Sequence, residues 1–128
     1  MPIITMKRYT REEIQSRPDV LFVFGDNLVR KGLGGQAAAA RGEPNAIGIP
    51  TKRRPSMDED AFFSNDDLEQ VRPIIQAEFR KLAEHLKHGG TVVLPADGVG
   101  SGRAMLSTKA PSIKLFIDRC FAHLNTLG

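Results

Sequence analysis

Three unbroken apolar runs constrain this chain more than any other feature. Val20 to Phe24 (VLFVF), Ala46 to Ile49 (AIGI) and Thr91 to Leu94 (TVVL) carry apolar or β-branched residues without polar alternation. A strand with one wet face alternates, whereas a strand covered on both faces does not. The runs therefore read as strands of a largely parallel sheet with helices against each side. Ile3 to Met6 adds an edge strand. Helical patterns lie between the runs. Gly35 to Arg41 holds four alanines, the best helix formers, with a cross-section small enough to pack closely on a sheet. Asp66 to Lys87 places Leu68, Val71, Ile75, Phe79, Leu82 and Leu86 on one stripe, with Gly89-Gly90 as a stop and Pro73 forcing a late start or a kink. Ile113, Phe116, Ile117, Cys120, Phe121 and Leu124 define a last helix with Pro111 in its first turn. The economical architecture is an α/β sandwich, and 128 residues make one domain spanning 1–128.

The segments after two of these strands are dense in glycine. Gly25-Asp26-Asn27 leads through a basic turn to Gly32, Gly34 and Gly35, and ADGVGSGRA, residues 96–104, follows TVVLP. In an open parallel sheet, ligands bind outside the carboxyl ends of the strands, and glycine lets backbone N–H groups approach an anion closely. Orphan donors and the positive dipole of a following helix would add to the attraction. The alternative is that the glycines only make tight turns. A dinucleotide fingerprint, G-x-G-x-x-A, is matched by Gly32-Leu33-Gly34-Gly35-Gln36-Ala37, but Asp26 to Lys31 separate it from the strand. In that fingerprint the first glycine follows the strand almost at once, so the match is weak.

Charge and cysteine content narrow the partners. The formal charge is +3, from 18 Lys and Arg against 15 Asp and Glu, with much of the excess in Arg30-Lys31 and Lys52-Arg53-Arg54. This suits an anionic ligand and falls short of the stripe of a dedicated nucleic-acid binder. Cys120 is the single cysteine, so no internal disulfide forms, which fits a reducing cytoplasm. His85, His88 and His123 lack zinc-like spacing, no run is long enough for a membrane span, and MPIITMKRYT has no signal-peptide h-region. The expectation is a cytoplasmic protein with no metal, no cofactor and no membrane partner. Thr51 to Asn65 is long for a connection, as functional or mobile loops are. It reads as a lid, with Phe62-Phe63 either stacking on a base or sugar or forming satellite core.

The order of strand, Asn-containing turn, Gly-Gly loop, small helix, strand, long helix, Pro-terminated strand, Gly-x-Gly loop and final helix resembles that of macrodomains. FGDNLVRKGLGGQAAAA resembles their first phosphate loop through Asn27, Gly34 and Gly35, and LPADGVGSG their second through Pro95, Gly98, Gly100 and Gly102. The chain is also similar to small, mostly uncharacterised phage and bacterial proteins that share an FGxNL turn and an IPTK segment. The resemblance covers about Val20 to Leu124. It implies a three-layer α/β/α macro-like sandwich with a mixed, largely parallel sheet. The implied ligand is ADP-ribose or a related NAD-derived or nucleoside-diphosphate compound, cradled by Gly25, Asp26, Asn27, Gly34, Gly35, Gln36, Thr51, Gly98, Val99, Gly100, Ser101, Gly102 and Arg103.

Within that superfamily, the terminal ADP-ribose glycohydrolases and their DNA-directed relatives are nearest. They carry a lysine after a strand, as Lys52 follows AIGIPT, and an aspartate in the second phosphate loop. Asp97 precedes the Gly-x-Gly, where the family carboxylate follows it. This implies Lys52 and Asp97 as a reactive pair if ADP-ribose is removed from protein or nucleic acid. Where macrodomains typically read adenine with an acidic residue, MKRYTREEI has Tyr9 and Thr10, with Glu13 or Asp19 as substitutes. A binding module, an ADP-ribosyl hydrolase, and a nucleic-acid binder resting on Arg30, Lys31, Arg53 and Arg54 all remain open.

Overall fold

A computed structural model describes residues 2–100, 102 and 104–127. Its four strands are β1 (Ile3–Met6), β2 (Val20–Asn27), β3 (Ala46–Lys52) and β4 (Thr91–Pro95). They lie in the order β1-β4-β2-β3, and every pairing is parallel. The antiparallel component expected of a mixed sheet is confined, among the described residues, to one isolated bridge between Lys52 and Phe62. Among the described residues five α-helices accompany the sheet: α1 (Arg11–Ser16), α2 (Ala37–Ala40), α3 (Leu68–Lys87), α4 (Leu106–Lys109) and α5 (Pro111–Leu127).

The unbroken apolar runs are explained by two cores, one on each face. Phe22 and Phe24 of β2 and Val93 of β4 pack with Tyr9, Ile14 of α1 and Ala37 and Ala40 of α2. Val23 and Val92 point the other way, into a larger cluster with Val71, Ile75, Phe79, Leu82 and Leu86 of α3 and Ile113, Ile117 and Leu124 of α5. The steps β1→β2 and β2→β3 carry their helices on one face and the return step β3→β4 carries α3 on the other. That is the arrangement right-handed crossovers generate. β3 is an edge strand, which is why Pro50 is tolerated within it.

Both the second and third strands run three residues further than the apolar pattern alone indicates, so Gly25-Asp26-Asn27 and Pro50-Thr51-Lys52 are paired strand rather than turn. The register shifts between Asp26 and Asn27, which pair with Pro50 and Lys52 and leave Thr51 as the extra residue of a bulge. The Thr51 hydroxyl donates to the Asp26 carbonyl at 3.1 Å. The long helix starts at Leu68, after a 3-10 turn over Asn65–Asp67, and holds Pro73 inside it, so the proline does not set its start. The alanine helix is only the four residues of α2.

Helix α1 does not announce itself by hydrophobic periodicity, because only Ile14 is buried. It is fixed by a capping box: Thr10 Oγ1 accepts from the Glu13 N–H at 3.1 Å, and Glu13 Oε1 accepts from the Thr10 N–H at 3.0 Å. Asn45 ties α1 to β2, since the two hydrogens of its buried Nδ2 are shared among the carbonyls of Ile14, Arg17 and Val20 at 2.9–3.0 Å. Asn45→Ala leaves these carbonyls short of a donor, and should lower unfolding free energy by about 1–3 kcal/mol. Urea denaturation checks this; an unchanged midpoint would show that the clamp contributes nothing.

Candidate functional site

Adjacent strands β2 and β4 send their chains to opposite faces of the sheet, so a crevice opens between their carboxyl ends. It forms a cleft of about 620 Å³. Its floor is the end of β2, Phe24 to Asn27, with Thr51 and Lys52 of β3 and Pro95 of β4. One wall is the loop from Lys31 to Ala37, and the opposite wall is formed by Gly98, Val99, Gly100, Gly102 and Ala104. Pro55, Ser56 and Met57 close a third side. Thus Gly25, Asp26, Asn27, Gly34, Gly35, Gln36, Thr51, Lys52, Gly98, Val99, Gly100 and Gly102 all line one cavity. Asp97 is exposed and is not among its lining residues, and Ser101 and Arg103 lie outside the described residues.

Lining the cleft and being available to a ligand are different properties. The Asp26 carboxylate is buried and held between Arg41 and Arg30, and it accepts the Asn27 N–H at 2.8 Å. It rests against Gly48, where a built Cβ would come within 2.5 Å of Asp26 Oδ2. Asn27 closes the following turn, donating Nδ2 to the Lys31 carbonyl at 2.7 Å. Gln36 exchanges two hydrogen bonds with the backbone of Tyr9, at 2.6 and 3.3 Å. These three side chains build the wall, and the glycines leave its backbone open. Gly25 is exposed on the floor, where a Cβ would meet only Val99 Cβ at 3.7 Å, Gly100 N at 3.9 Å and Thr51 Oγ1 at 4.0 Å. Helices α2 and α4, which follow the two loops, have four residues each. The expected dipole contribution is therefore negligible, and any anion must be held by loop N–H groups and side-chain cations.

Arg41, to which the sequence assigns no role, fastens the first wall. Its Nε donates to the Gly32 carbonyl at 2.7 Å, its Nη2 to Asp26 and, at 3.1 Å, to the Lys31 carbonyl, and its guanidinium lies 5.7 Å over the Phe24 ring. No local pattern could have indicated this, because the partners are 9–15 residues away. Lys52 is buried: its Nζ donates to the Ser56 carbonyl, contacts Met57 Sδ at 3.7 Å and sits 4.7 Å over the Phe62 ring. It thereby folds the 52–57 turn against the cleft. Phe62 and Phe63 are buried, and the Arg53 N–H donates to the Ala61 carbonyl at 2.8 Å. Phe63 joins the larger core and Phe62 is buried beneath Lys52 and Lys109, so neither ring is placed to stack on a base. Beyond Thr51 and Lys52 on the floor, residues 55–57 are the part of the 51–65 segment that lines the cavity.

Tyr9 and Thr10 do not face the cleft. The Tyr9 hydroxyl donates to the Val23 carbonyl inside the core, where burial pushes the phenol above its usual range, and Thr10 caps α1. Glu13 completes the capping box, and neither it nor Asp19 lines the cavity. Among the described residues Asp26 is the one acidic residue on the cleft, against Lys31, Arg41 and Lys52. The basic residues suggested for nucleic acid are largely engaged. Arg30 pairs with Asp26 and Glu78, Arg53 with Asp67, and Arg54 with Asp58 and Asp60. Burial raises the Asp67 carboxyl, but hydrogen bonds from Arg53 and Ser64 and the Arg53 charge outweigh it and hold the group below its ordinary value.

The fold and cavity define an all-parallel α/β protein with an open, cation-lined crevice where the sheet's connections diverge. The chain belongs to DUF7831, a family of unknown function, whose model matches residues 4–120. No curated protein and no solved structure matches it. No helix among the described residues is long and apolar enough to cross a membrane, and none of their His, Cys, Asp and Glu side chains cluster as a metal site.

Proposed function

We propose that the cleft binds ADP-ribose or a related nucleoside diphosphate, with the diphosphate between the loop at Gly34-Gly35 and the loop at Gly98 to Gly102. The observation that carries this reading is the convergence of two glycine-rich loops, from different strands, on one cavity at the switch point of a parallel sheet. Its volume of about 620 Å³ lies in the range of small-molecule sites, and the net basic lining favours an anion. The macrodomain resemblance of the same two loops supplies the choice of ADP-ribose.

Binding without hydrolysis is the reading the side chains favour. Removal of ADP-ribose by Lys52 and Asp97 would need both at the ligand, and Asp97 does not line the cavity. Asp26 does, but its carboxylate is committed to Arg30 and Arg41. Direct nucleic-acid recognition is weakened by the ion pairs of Arg30, Arg53 and Arg54.

Gly25→Val is the variant suited to testing the site. Its position is exposed strand at the cleft floor, so a β-branched side chain suits the backbone and projects into the ligand volume. Calorimetric titration with ADP-ribose, ADP and NAD should show saturable binding by the wild type and at least a tenfold loss in the variant, about 1.4 kcal/mol. Unaltered affinity in a folded variant, or no binding of any of the three by the wild type, would remove this site.

A further inference from the structure

We propose that the groove between α3 and α5 docks an acidic amphipathic helix of a partner protein. The groove has a volume of about 400 Å³ and is independent of the cleft. Both helices leave the carboxyl end of the sheet and run back along its face, which puts the Lys87 and His123 end away from the nucleotide cavity. The proposal does not rest on the reading of that cavity.

The groove joins two chemistries. Its floor is apolar, with Phe79, Ala83, Leu124 and the half-buried Cys120, and Phe79 is braced edge-on against Phe121 with centroids 4.8 Å apart. Burial pushes the Cys120 thiol above its ordinary value, so it stays neutral. The rim carries the cations Arg80 and Lys87 from α3 and Arg119 from α5, with the His123 ring beside them, all exposed. Among the described residues no acidic side chain lines the groove, and Arg80, Lys87 and Arg119 form no ion pair. Of the nearby acids, Glu78 pairs with Arg30 and Lys81 and Asp118 with Lys114, while Glu84 is exposed and does not line the groove.

That combination selects the occupant. A nucleic-acid backbone would meet the cations but has no apolar side chains for the Phe79–Leu124 floor, and a simple anion would leave the floor wet. An amphipathic helix supplies both, seating an apolar seam on the floor and carboxylates against the rim. Spacing agrees as well. Arg80 and Lys87 lie two turns apart on α3, about 10.5 Å, which is the interval between carboxylates at i and i+7 on a helix laid alongside.

The test uses a fluorescein-labelled helical peptide with leucines along one seam and glutamates at i and i+7 on its flanks, a scrambled peptide of the same composition, and a 20-base-pair DNA duplex. Anisotropy titrations should show saturable binding of the patterned peptide, at least tenfold tighter than the scrambled one. Arg80→Glu combined with Arg119→Glu should weaken it a further tenfold or more. Both positions are exposed; if that variant misfolds by circular dichroism, Arg80→Gln with Arg119→Gln is measured, with a loss of at least threefold expected. Equal binding of the two peptides, binding indifferent to the substitutions, or tighter binding of the duplex than of the patterned peptide would each overturn the proposal.

Discussion

Asp26→Ala should be among the most destabilising single substitutions in this protein, with a loss of about 2–4 kcal/mol. The carboxylate is buried at the end of β2 and joins that strand to two other segments, through Arg30 in the turn after it and Arg41 after α2, while also accepting the N–H of its neighbour Asn27. Breaking a buried ion pair costs about 3–5 kcal/mol because the remaining charge is stranded. Here the side chain of Arg30 is 37% exposed and that of Arg41 19% exposed, so water recovers part of that loss and the expectation is reduced. Each kcal/mol is worth roughly 3–5 °C in a chain of this size, which makes a fall in Tm of about 10 °C the expected calorimetric result. Arg30→Gln should cost much less, because Arg41 still faces the carboxylate. A Tm for Asp26→Ala within about a degree of wild type would mean that the first wall of the cleft is held by something else.

Gly100→Val should cost roughly 2–6 kcal/mol, and it should do so whether or not a ligand exists. The residue has φ +82°, a left-handed conformation that strains an L side chain by about 1–3 kcal/mol. A Cβ there would come within 2.4 Å of Leu106 Cδ1, and overpacking of this kind adds about 1–3 kcal/mol. The Gly100 carbonyl also accepts the Leu106 N–H at 3.0 Å, so the loop cannot swing away without losing the start of α4. Weak nucleotide binding by Gly100→Val would therefore report on folding, whereas Gly25→Val reports on the cavity. A double-mutant cycle with Leu106→Ala separates the two costs. In the Gly100→Val background, Leu106→Ala should be markedly less harmful than in wild type, because it removes the clash and leaves only the strain. Strict additivity would place the damage elsewhere.

Much of the fold is legible in the residues. VLFVF and TVVL lack alternation because Phe22 and Val23, and Val92 and Val93, serve cores on opposite faces, and this alone demands a sheet covered twice. The heptad-like stripes of α3 and α5 mark their buried sides. Helix α1 was missed, because it has no apolar periodicity; its one local signal is the Thr10–Glu13 capping box. The lengths of β2 and β3 were not legible either, because Gly25-Asp26-Asn27 and Pro50-Thr51 have turn composition. They extend as strands because they pair with each other at the sheet edge, and pairing overrides local preference.

The sequence by itself determined the α/β layering and the two glycine-rich segments after strands, since both follow from periodicity and from the steric freedom of glycine within a few residues. Tertiary structure decided which of the polar residues beside those segments remain at the cavity and what they do there. Asp26, Arg30 and Arg41 are brought together from positions up to 15 residues apart, Lys52 is seated over Phe62, and Asp97 is left off the cleft wall. Backbone conformation is encoded locally, but the partner of a charge is set by where crossovers deliver distant chain, and burial makes that partner obligatory.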